Sequence, residues 1–218
     1  MTFVFMVSGE RAPTYDRNHM TETSSTARLA PVLSAHAKVR SCEAGEVVFR
    51  AGAPAGSVFH VAAGSVRLLR FGRGGEEVTI HQAQAGEYFA EASLYSESYH
   101  CSAVATQPSR LLVIPAAALR RLLARDIAFS QLWVEILSKQ LRRSRARVER
   151  LCLKGARERV MHLLLAEGEG ADHRYQLPGT LKNLASELGL THEALYRTLA
   201  AMEAEGVLLR GAGQLALA

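Results

Sequence analysis

The stretch from Leu184 to Glu203, LASELGLTHEALYRTLAAME, carries two short amphipathic patterns on either side of a glycine. Counted from Leu181, just before this stretch, aliphatic side chains recur at i, i+3, i+4 and i+7 up to Leu188, and from Leu195 at i, i+4 and i+7 up to Met202. This spacing is typical of two helices that each bury one face. Gly189 suits the left-handed conformation that ends a helix, and Thr191 can cap the next helix with its side-chain oxygen. The stretch therefore predicts a helix-turn-helix.

The second predicted helix leaves a polar face uncovered. Its aliphatic residues are expected to pack on their own domain, because an amphipathic helix buries its apolar side. The opposite face then carries His192, Glu193, Tyr196, Arg197 and Ala200. The second helix is therefore predicted to present an exposed polar surface that can bind a partner.

Composition places the chain among globular proteins. Its 218 residues are 48% hydrophobic, enough for a sizeable core in one or two domains. The longest apolar runs, such as LLVIPAAAL at 111–119, are too short to cross a bilayer. The initial run TFVFMV lacks a basic leader and a convincing cleavage site. We therefore expect a cytoplasmic protein without a membrane partner.

Cysteines and charges add two further constraints. The three cysteines, Cys42, Cys101 and Cys152, fit neither a disulfide framework nor a metal knuckle, so reduced thiols and no metal site are expected. The net charge of +5 is concentrated between Lys139 and Lys154, where seven Lys or Arg stand against Glu149 alone. The rest of the chain is about neutral.

The N-terminal half predicts a β domain after a poorly ordered leader at residues 1–35, in which Met20 is a second candidate start. Residues 36–125 contain short runs rich in Val, Leu, Ile and Phe, separated by glycine turns about ten residues apart. That spacing is typical of a β sandwich or barrel. The glycines at the expected corners are Gly45, Gly52, Gly64, Gly75 and Gly86, although any jelly roll can carry hairpin glycines.

A long helix is predicted next, because residues 126–154 contain neither Pro nor Gly. Apolar residues at alternating steps of three and four form a heptad seam interrupted by Ser144. The seam can pack on the β domain of its own chain or form a two-stranded dimer interface. We predict the dimer, since the helix is longer than a small β domain needs; the interface residues are Val134, Leu137, Leu141, Val148 and Leu151.

Residues 155–218 predict a third unit around the helix-turn-helix. ARERVMHLLLAEG reads as a helix, HRYQLP as a short strand, and VLLRGAGQLALA as a wing hairpin around Gly211 and Gly213. The predicted fold is α+β, with a β roll at 36–125, a dimerisation helix at 126–154 and a winged helix-turn-helix at 155–218.

Three motifs in this order resemble the cyclic AMP receptor protein and fumarate-nitrate regulator (Crp/Fnr) family of transcription regulators. They are AGEVVFRAGAPAGSVFHVAAGSVRLLRF, GEYFAEASLY and LGLTHEALYRTLAAME, and the similarity covers about residues 42–218. The resemblance implies a cyclic-nucleotide-binding-like jelly roll, a homodimer, a palindromic operator in double-stranded DNA, and RNA polymerase as a partner.

The resemblance also assigns roles on the polar helix face. Glu193 and Arg197 match the family's most characteristic base-contacting positions, where glutamate suits cytosine N4 and arginine suits guanine O6 and N7. His192 stands where many relatives carry arginine, so a different half-site is expected. Thr191 and Lys182 would contact phosphates. The alternative for Glu193 and Arg197 is a surface salt bridge at i, i+4.

One feature weakens the expected attraction to DNA. From Gly155 to Ala218, six Lys or Arg stand against eight Asp or Glu. We therefore predict a modest salt dependence of binding, unless Lys182, Arg197, Arg210 and the histidines segregate toward the DNA.

The sensor motif departs from the cyclic AMP branch. That branch uses a glutamate for the ribose hydroxyl, then an arginine and a serine for the cyclic phosphate; here Glu91 and Ser102 remain, but Cys101 stands at the arginine position. Without a guanidinium, a buried phosphate loses its charge-assisted bonds, so cyclic AMP is not expected to bind in the usual way. Ser144 matches a hydroxyl that the long helix offers to the purine. The effector is unknown.

Cysteines, histidines and carboxylates of the predicted roll offer two further kinds of site. No iron-sulfur cluster is expected, because Cys42 is the only cysteine before residue 100. The alternative function is a cupin-like metal-dependent enzyme with His60, His81, His100 and Glu87 or Glu91 as ligands. The roll lacks a close H-x-H pair, and an enzyme would not need the C-terminal third, so we predict no catalytic residues. A regulator that has lost DNA recognition is a further alternative.

Overall fold

The computed structural model describes Leu29, residues 32–177 and residues 179–218. Its elements are β1 (Lys38–Cys42), β2 (Val47–Phe49), β3 (Ser57–Ala63), β4 (Ser65–Phe71), β5 (Glu77–Gln84), β6 (Tyr88–Phe89), β7 (Ser102–Ala105), β8 (Ser109–Pro115), α1 (Ala116–Arg125), α2 (Ile127–Cys152), α3 (Ala156–Glu167), β9 (Tyr175–Gln176), α4 (Leu181–Glu187), α5 (His192–Ala204), β10 (Leu208–Gly211) and β11 (Gln214–Leu217).

The first eight strands form the predicted β roll. Two antiparallel sheets, with strand orders β1-β8-β3-β6 and β2-β7-β4-β5, enclose an apolar core. The five predicted corner glycines all have φ between +82° and +92°. At Gly64 a Cβ atom would also lie 2.6 Å from the carbonyl oxygen of Pro108, so this corner needs glycine for both its conformation and its close approach.

The long helix α2 begins after Asp126, whose carboxylate accepts a hydrogen bond from the backbone N–H of Phe129 at 2.9 Å. It has 26 residues and ends at Cys152, slightly earlier than the predicted Lys154. One face packs against the roll through its buried residues Phe129, Trp133 and Ile136.

The predicted leader is only partly described. Residues 1–28 lie outside the described residues. Leu29 and Leu33, which the sequence assigns to the leader, are buried in the same apolar cluster as Trp133. The packed part of the chain therefore starts before the predicted boundary at residue 35.

The C-terminal winged domain, residues 156–218, has a core of its own. Helices α3, α4 and α5 pack with a three-stranded sheet of order β10-β11-β9 around buried aliphatic residues. Strands β10 and β11 form the predicted wing hairpin, with Arg210 opposite Leu215. Within the described ranges, no helix has both the length and the apolarity to cross a membrane.

Candidate nucleic-acid interface and sensor site

The turn between α4 and α5 is built from local hydrogen bonds. At the end of α4 the N–H of Leu190 donates to the carbonyl of Ala185 (2.9 Å) and that of Gly189 to Ser186 (3.3 Å), while Gly189 has φ +62°. This is a Schellman ending, which requires the left-handed conformation at the glycine. Thr191 Oγ1 then accepts from the N–H of Ala194 at 3.1 Å and starts α5.

The two faces of α5 have opposite environments. Leu195, Leu199 and Met202 are 0% exposed in the winged core. The residues that the sequence assigns to DNA contact on this helix are all exposed: Thr191, His192, Glu193 and Arg197. Lys182, on α4, is exposed as well. The polar face is therefore accessible, and its orientation is fixed by the buried side of the same helix.

Glu193 and Arg197 are available for other partners. Hydrogen bonds from its own backbone N–H and from the Thr191 side chain hold the pKa of Glu193 below its usual range. Its carboxylate is thus ionised and can only accept hydrogen bonds. Among the ion pairs of the described residues there is none between Glu193 and Arg197, so the expected alternative of a surface salt bridge is not what the structure has.

Several other charges in the winged domain are paired. Arg174 pairs with Asp172, and Arg210 Nε lies 2.9 Å from Glu203 Oε2. Arg210, which the sequence offers as a free positive charge for DNA, is therefore tied to the C-terminal end of α5. Arg197 and Lys182 remain as exposed cations without an ion pair in the described part of the chain.

The structure adds an aromatic contact that was not predicted. The rings of His192 and Tyr196 meet edge to face, with centroids 4.4 Å apart and planes at 61°. The two residues are four positions apart, and side chains at this spacing can touch on one face of a helix. The contact restricts both side chains on the exposed surface of α5.

The heptad seam of α2 is exposed in the single chain. Val134, Leu137, Leu141, Val148 and Leu151 are between 36% and 64% exposed. The opposite side of the helix, rather than the seam, packs on the roll. The alternative in which the seam covers its own β domain is therefore wrong.

Three of the predicted sensor residues lie in the roll near one another. Cys101 is 2% exposed, and its neighbour Ser102 accepts a hydrogen bond from the N–H of Ala51 at 3.0 Å. Burial raises the pKa of the Cys101 thiol, with Arg70 acting in the opposite direction and Glu91 in the same direction. Ser144 is exposed on the seam face of α2 and is not part of this buried group.

Two family models match this chain. The model of the cyclic nucleotide-binding domain matches residues 39–126, and that of the Crp-like helix-turn-helix domain matches residues 158–217. The cyclic AMP receptor protein of Thermus thermophilus is 31% identical over 171 residues, which cover 78% of each chain. The chain belongs to the Crp/Fnr family of transcription regulators.

Other similar proteins agree with this membership. The transcriptional activator protein FnrA of Stutzerimonas stutzeri is 26% identical over 176 residues, which cover 78% of this Crp/Fnr chain and 72% of FnrA. The solved structure of FixK2 from Bradyrhizobium japonicum is 25% identical with a TM-score of 0.68, covering 83% and 92% of the two chains. The predicted order of jelly roll, long helix and winged helix-turn-helix is confirmed, and the chain is a DNA-binding transcription regulator.

The predicted sensor site contains an arginine that the sequence pattern did not indicate. Arg70 on β4 donates from Nε to the carbonyl of His100 at 2.8 Å, and its charge acts on the Cys101 thiol. The neighbouring strand β7 pairs with β4, but nothing local in the sequence brings Arg70 to Cys101. The site thus holds a guanidinium already bound to the backbone, beside a buried thiol.

Glu91 is the carboxyl of the predicted sensor site whose pKa is raised most. Burial raises its pKa to about 7, and the nearby Glu87 carboxylate acts in the same direction. Its Oε2 atom is buried and has no hydrogen-bond partner among the described residues. The group is therefore poised to be protonated or to meet a donor from a ligand.

We expect Glu91→Gln to have a higher free energy of unfolding than the wild type at alkaline pH. The pKa of Glu91 is about 7 in the fold against 4.5 for a free side chain, so between these values the folded state binds more protons than the unfolded state. Wild-type stability then falls by about 3 kcal/mol as the pH rises through that window, whereas glutamine does not titrate. Urea titrations near pH 5 and pH 8 compare the two proteins; a pH-independent difference would contradict this account.

The metal ligands of the cupin alternative are not brought together. His60 packs against the ring of Tyr88, and His100 Nδ1 lies 2.9 Å from Ser93 Oγ. His81 Nε2 lies 3.9 Å from a carboxylate oxygen of Glu87. Within the residues that the structure describes, no group of three His, Cys, Asp or Glu could hold a metal ion.

The basic run of α2 makes contacts that the sequence did not reveal. Arg147 donates to the carbonyls of Thr79 (3.0 Å) and Ile80 on β5. Arg150, 0% exposed, forms ion pairs with Glu167 and Glu187 of the winged domain. Two arginines of the basic run thus bind α2 to the roll and to the winged domain of this Crp/Fnr regulator.

Proposed function

We propose that this Crp/Fnr chain acts in the cytoplasm as a homodimer that binds a palindromic operator in double-stranded DNA. The observation that carries the proposal is the exposed polar face of α5 opposite three fully buried aliphatic residues. A helix held in this way can enter the major groove without leaving its own core. Two copies related by a twofold axis would reach successive major grooves about 34 Å apart.

Each residue of the face has a role that fits its chemistry. Arg197, which is exposed and has no ion pair with any described residue, would donate to guanine O6 and N7, and the ionised Glu193 would accept from cytosine N4. His192 would contact an adjacent base, with its ring restricted by Tyr196. Thr191 and Lys182 would bind phosphates and fix the register on the duplex.

The exposed seam of α2 supports the dimer. Five apolar residues on one face of a 26-residue helix, repeating at heptad spacing, form a surface suited to a second copy of the same helix. A symmetric pair of seams buries the same residues on both subunits. Regulation of transcription would then involve contact with RNA polymerase from the DNA-bound dimer.

We propose that the roll is a sensor domain whose effector is not cyclic AMP held in the way that is usual for the cyclic AMP branch. The buried Cys101 thiol at the family's arginine position supports this, as does Arg70, whose Nε is already bonded to the carbonyl of His100. Glu91, whose buried Oε2 has no hydrogen-bond partner in the part of the chain that the structure describes, would accept a hydrogen bond from a donor on the effector. Effector binding would shift the two α2 helices and reorient the winged domains through the 153–155 linker.

Arg197→Ala tests direct readout. Wild-type protein first selects its palindrome from random DNA, with and without cyclic AMP. We expect the variant to lose about 1–3 kcal/mol of binding free energy at one symmetric base pair and to relax the preference there. Arg174→Ala removes the same charge from an exposed pair off the α5 face and is the control. An equal loss of affinity on all DNA sequences would contradict direct base readout by Arg197. Tight binding of cyclic AMP by the wild type would contradict the proposal for the sensor.

A further inference from the structure

The side chain of Arg159, on α3, joins the ends of two other helices. Its Nε donates to the carbonyl of Leu153 at 2.9 Å, and its Nη1 donates to the carbonyls of Leu188 (2.9 Å) and Gly189 (3.0 Å). Leu153 is the C-cap residue directly after α2, and Leu188 is the C-cap residue directly after α4, the first helix of the helix-turn-helix. One guanidinium therefore bridges the dimerisation helix and the turn before α5.

Both ends of this bridge attract a cation. The last carbonyls of a helix have no partner within it and carry the negative end of its dipole. The planar guanidinium reaches both helix ends because its donors point in several fixed directions, which a lysine ammonium on one flexible stem cannot reproduce.

The seam, the arginine and the turn meet at Gly189. A Cβ atom at this glycine would lie 3.0 Å from Leu151 Cδ2 and 3.1 Å from Arg159 Nη1. Leu151 is the last residue of the exposed seam, and α5 begins three residues after Gly189. Leu151 thus lies against the turn that orients α5, so a displacement of the seam at Leu151 would be passed to that turn.

We infer that Arg159 is a positioning residue that sets the angle between α2 and the helix-turn-helix, and with it the half-site spacing that the dimer accepts. This inference rests on the proposed binding of a palindrome by a dimer. The covalent link between α2 and α3 is only residues 153–155, so the angle depends on contacts across it. Arg150 also ties α2 to the winged domain through Glu187, so losing Arg159 loosens the angle without detaching the domain.

The test compares Arg159→Met and Arg159→Lys with the control Arg157→Met. Arg157 lies on the same helix but pairs with Glu205 on the surface. Each protein is titrated with the palindrome that the wild type selects from random DNA, with the same palindrome whose spacer is changed by one or two base pairs, and with a single half-site. Each added base pair rotates one half-site by about 34–36° relative to the other, which a rigid dimer must resist.

The wild type and Arg157→Met should bind the altered spacers at least about tenfold more weakly than the selected palindrome. Both Arg159 variants should bind all spacers within about threefold of one another, with single half-site affinity unchanged within about twofold. Arg159 variants that keep the wild-type spacing preference, or that lose the single half-site equally, would overturn the inference. A wild type that selects no palindrome would instead overturn the proposed function.

Discussion

The Leu141→Glu variant is expected to bind the palindromic operator at least about 100-fold more weakly than the wild type, with unchanged affinity for a single half-site. Leu141 is 51% exposed in the single chain and lies in the middle of the seam. In a symmetric dimer it would face the same residue of the second copy, so the variant would place two carboxylates opposite each other. Opposed like charges in an interface cost several kcal/mol.

Sedimentation measures the oligomeric state of the variant, and titration with the operator at the same protein concentrations measures its DNA affinity. Leu165→Glu is the matched control, because Leu165 is 54% exposed on α3 and lies off the seam. The control should remain dimeric and bind the operator normally. A Leu141→Glu protein that stays dimeric would show that α2 does not dimerise through this face.

The parts of the fold that follow from local patterns were predictable. The helix-turn-helix depends on aliphatic spacing, on a left-handed Gly189 and on the Thr191 cap, all within about 20 consecutive residues. The corner glycines were predictable for the same reason, since positive φ is a property of single positions. The seam followed from its heptad period.

Contacts between distant segments were not predictable in the same way. A run of arginines has the same sequence whether it is solvated or paired, so the pattern did not reveal that Arg147 reaches β5 or that Arg150 is buried. The sequence did not place Arg70 at the predicted sensor site, because strand pairing, not spacing, brings it beside Cys101. The sequence also left open that Arg210 turns toward DNA, because its pairing with Glu203 forms only when the wing folds back on α5.

Arg150→Met is expected to lower the free energy of unfolding of the winged domain by about 3–5 kcal/mol. Arg150 is 0% exposed and forms ion pairs with the carboxylates of Glu167 and Glu187. Removing this cation leaves two neighbouring carboxylates in a partly buried site without the ion pairs of Arg150, and Arg147 is the cation that still acts on Glu187. Burial already raises the pKa of Glu187, and Arg150 opposes that rise. The variant therefore raises this pKa further, and its defect should shrink as the pH falls and the carboxyl becomes protonated.

Substitution of the partners separates the loss of charge balance from a simple loss of packing. If uncompensated carboxylates cause the defect, the triple variant Arg150→Met, Glu167→Gln, Glu187→Gln should recover most of the stability, because a buried ion group replaced by neutral residues is often tolerated. Arg157→Met, which removes an exposed pair, should cost less than about 1 kcal/mol. Urea titrations at one protein concentration, followed by amide exchange of Leu163 and Leu164 in the winged core, measure all three variants. A triple variant no more stable than Arg150→Met would mean that the arginine acts through its packed side chain instead.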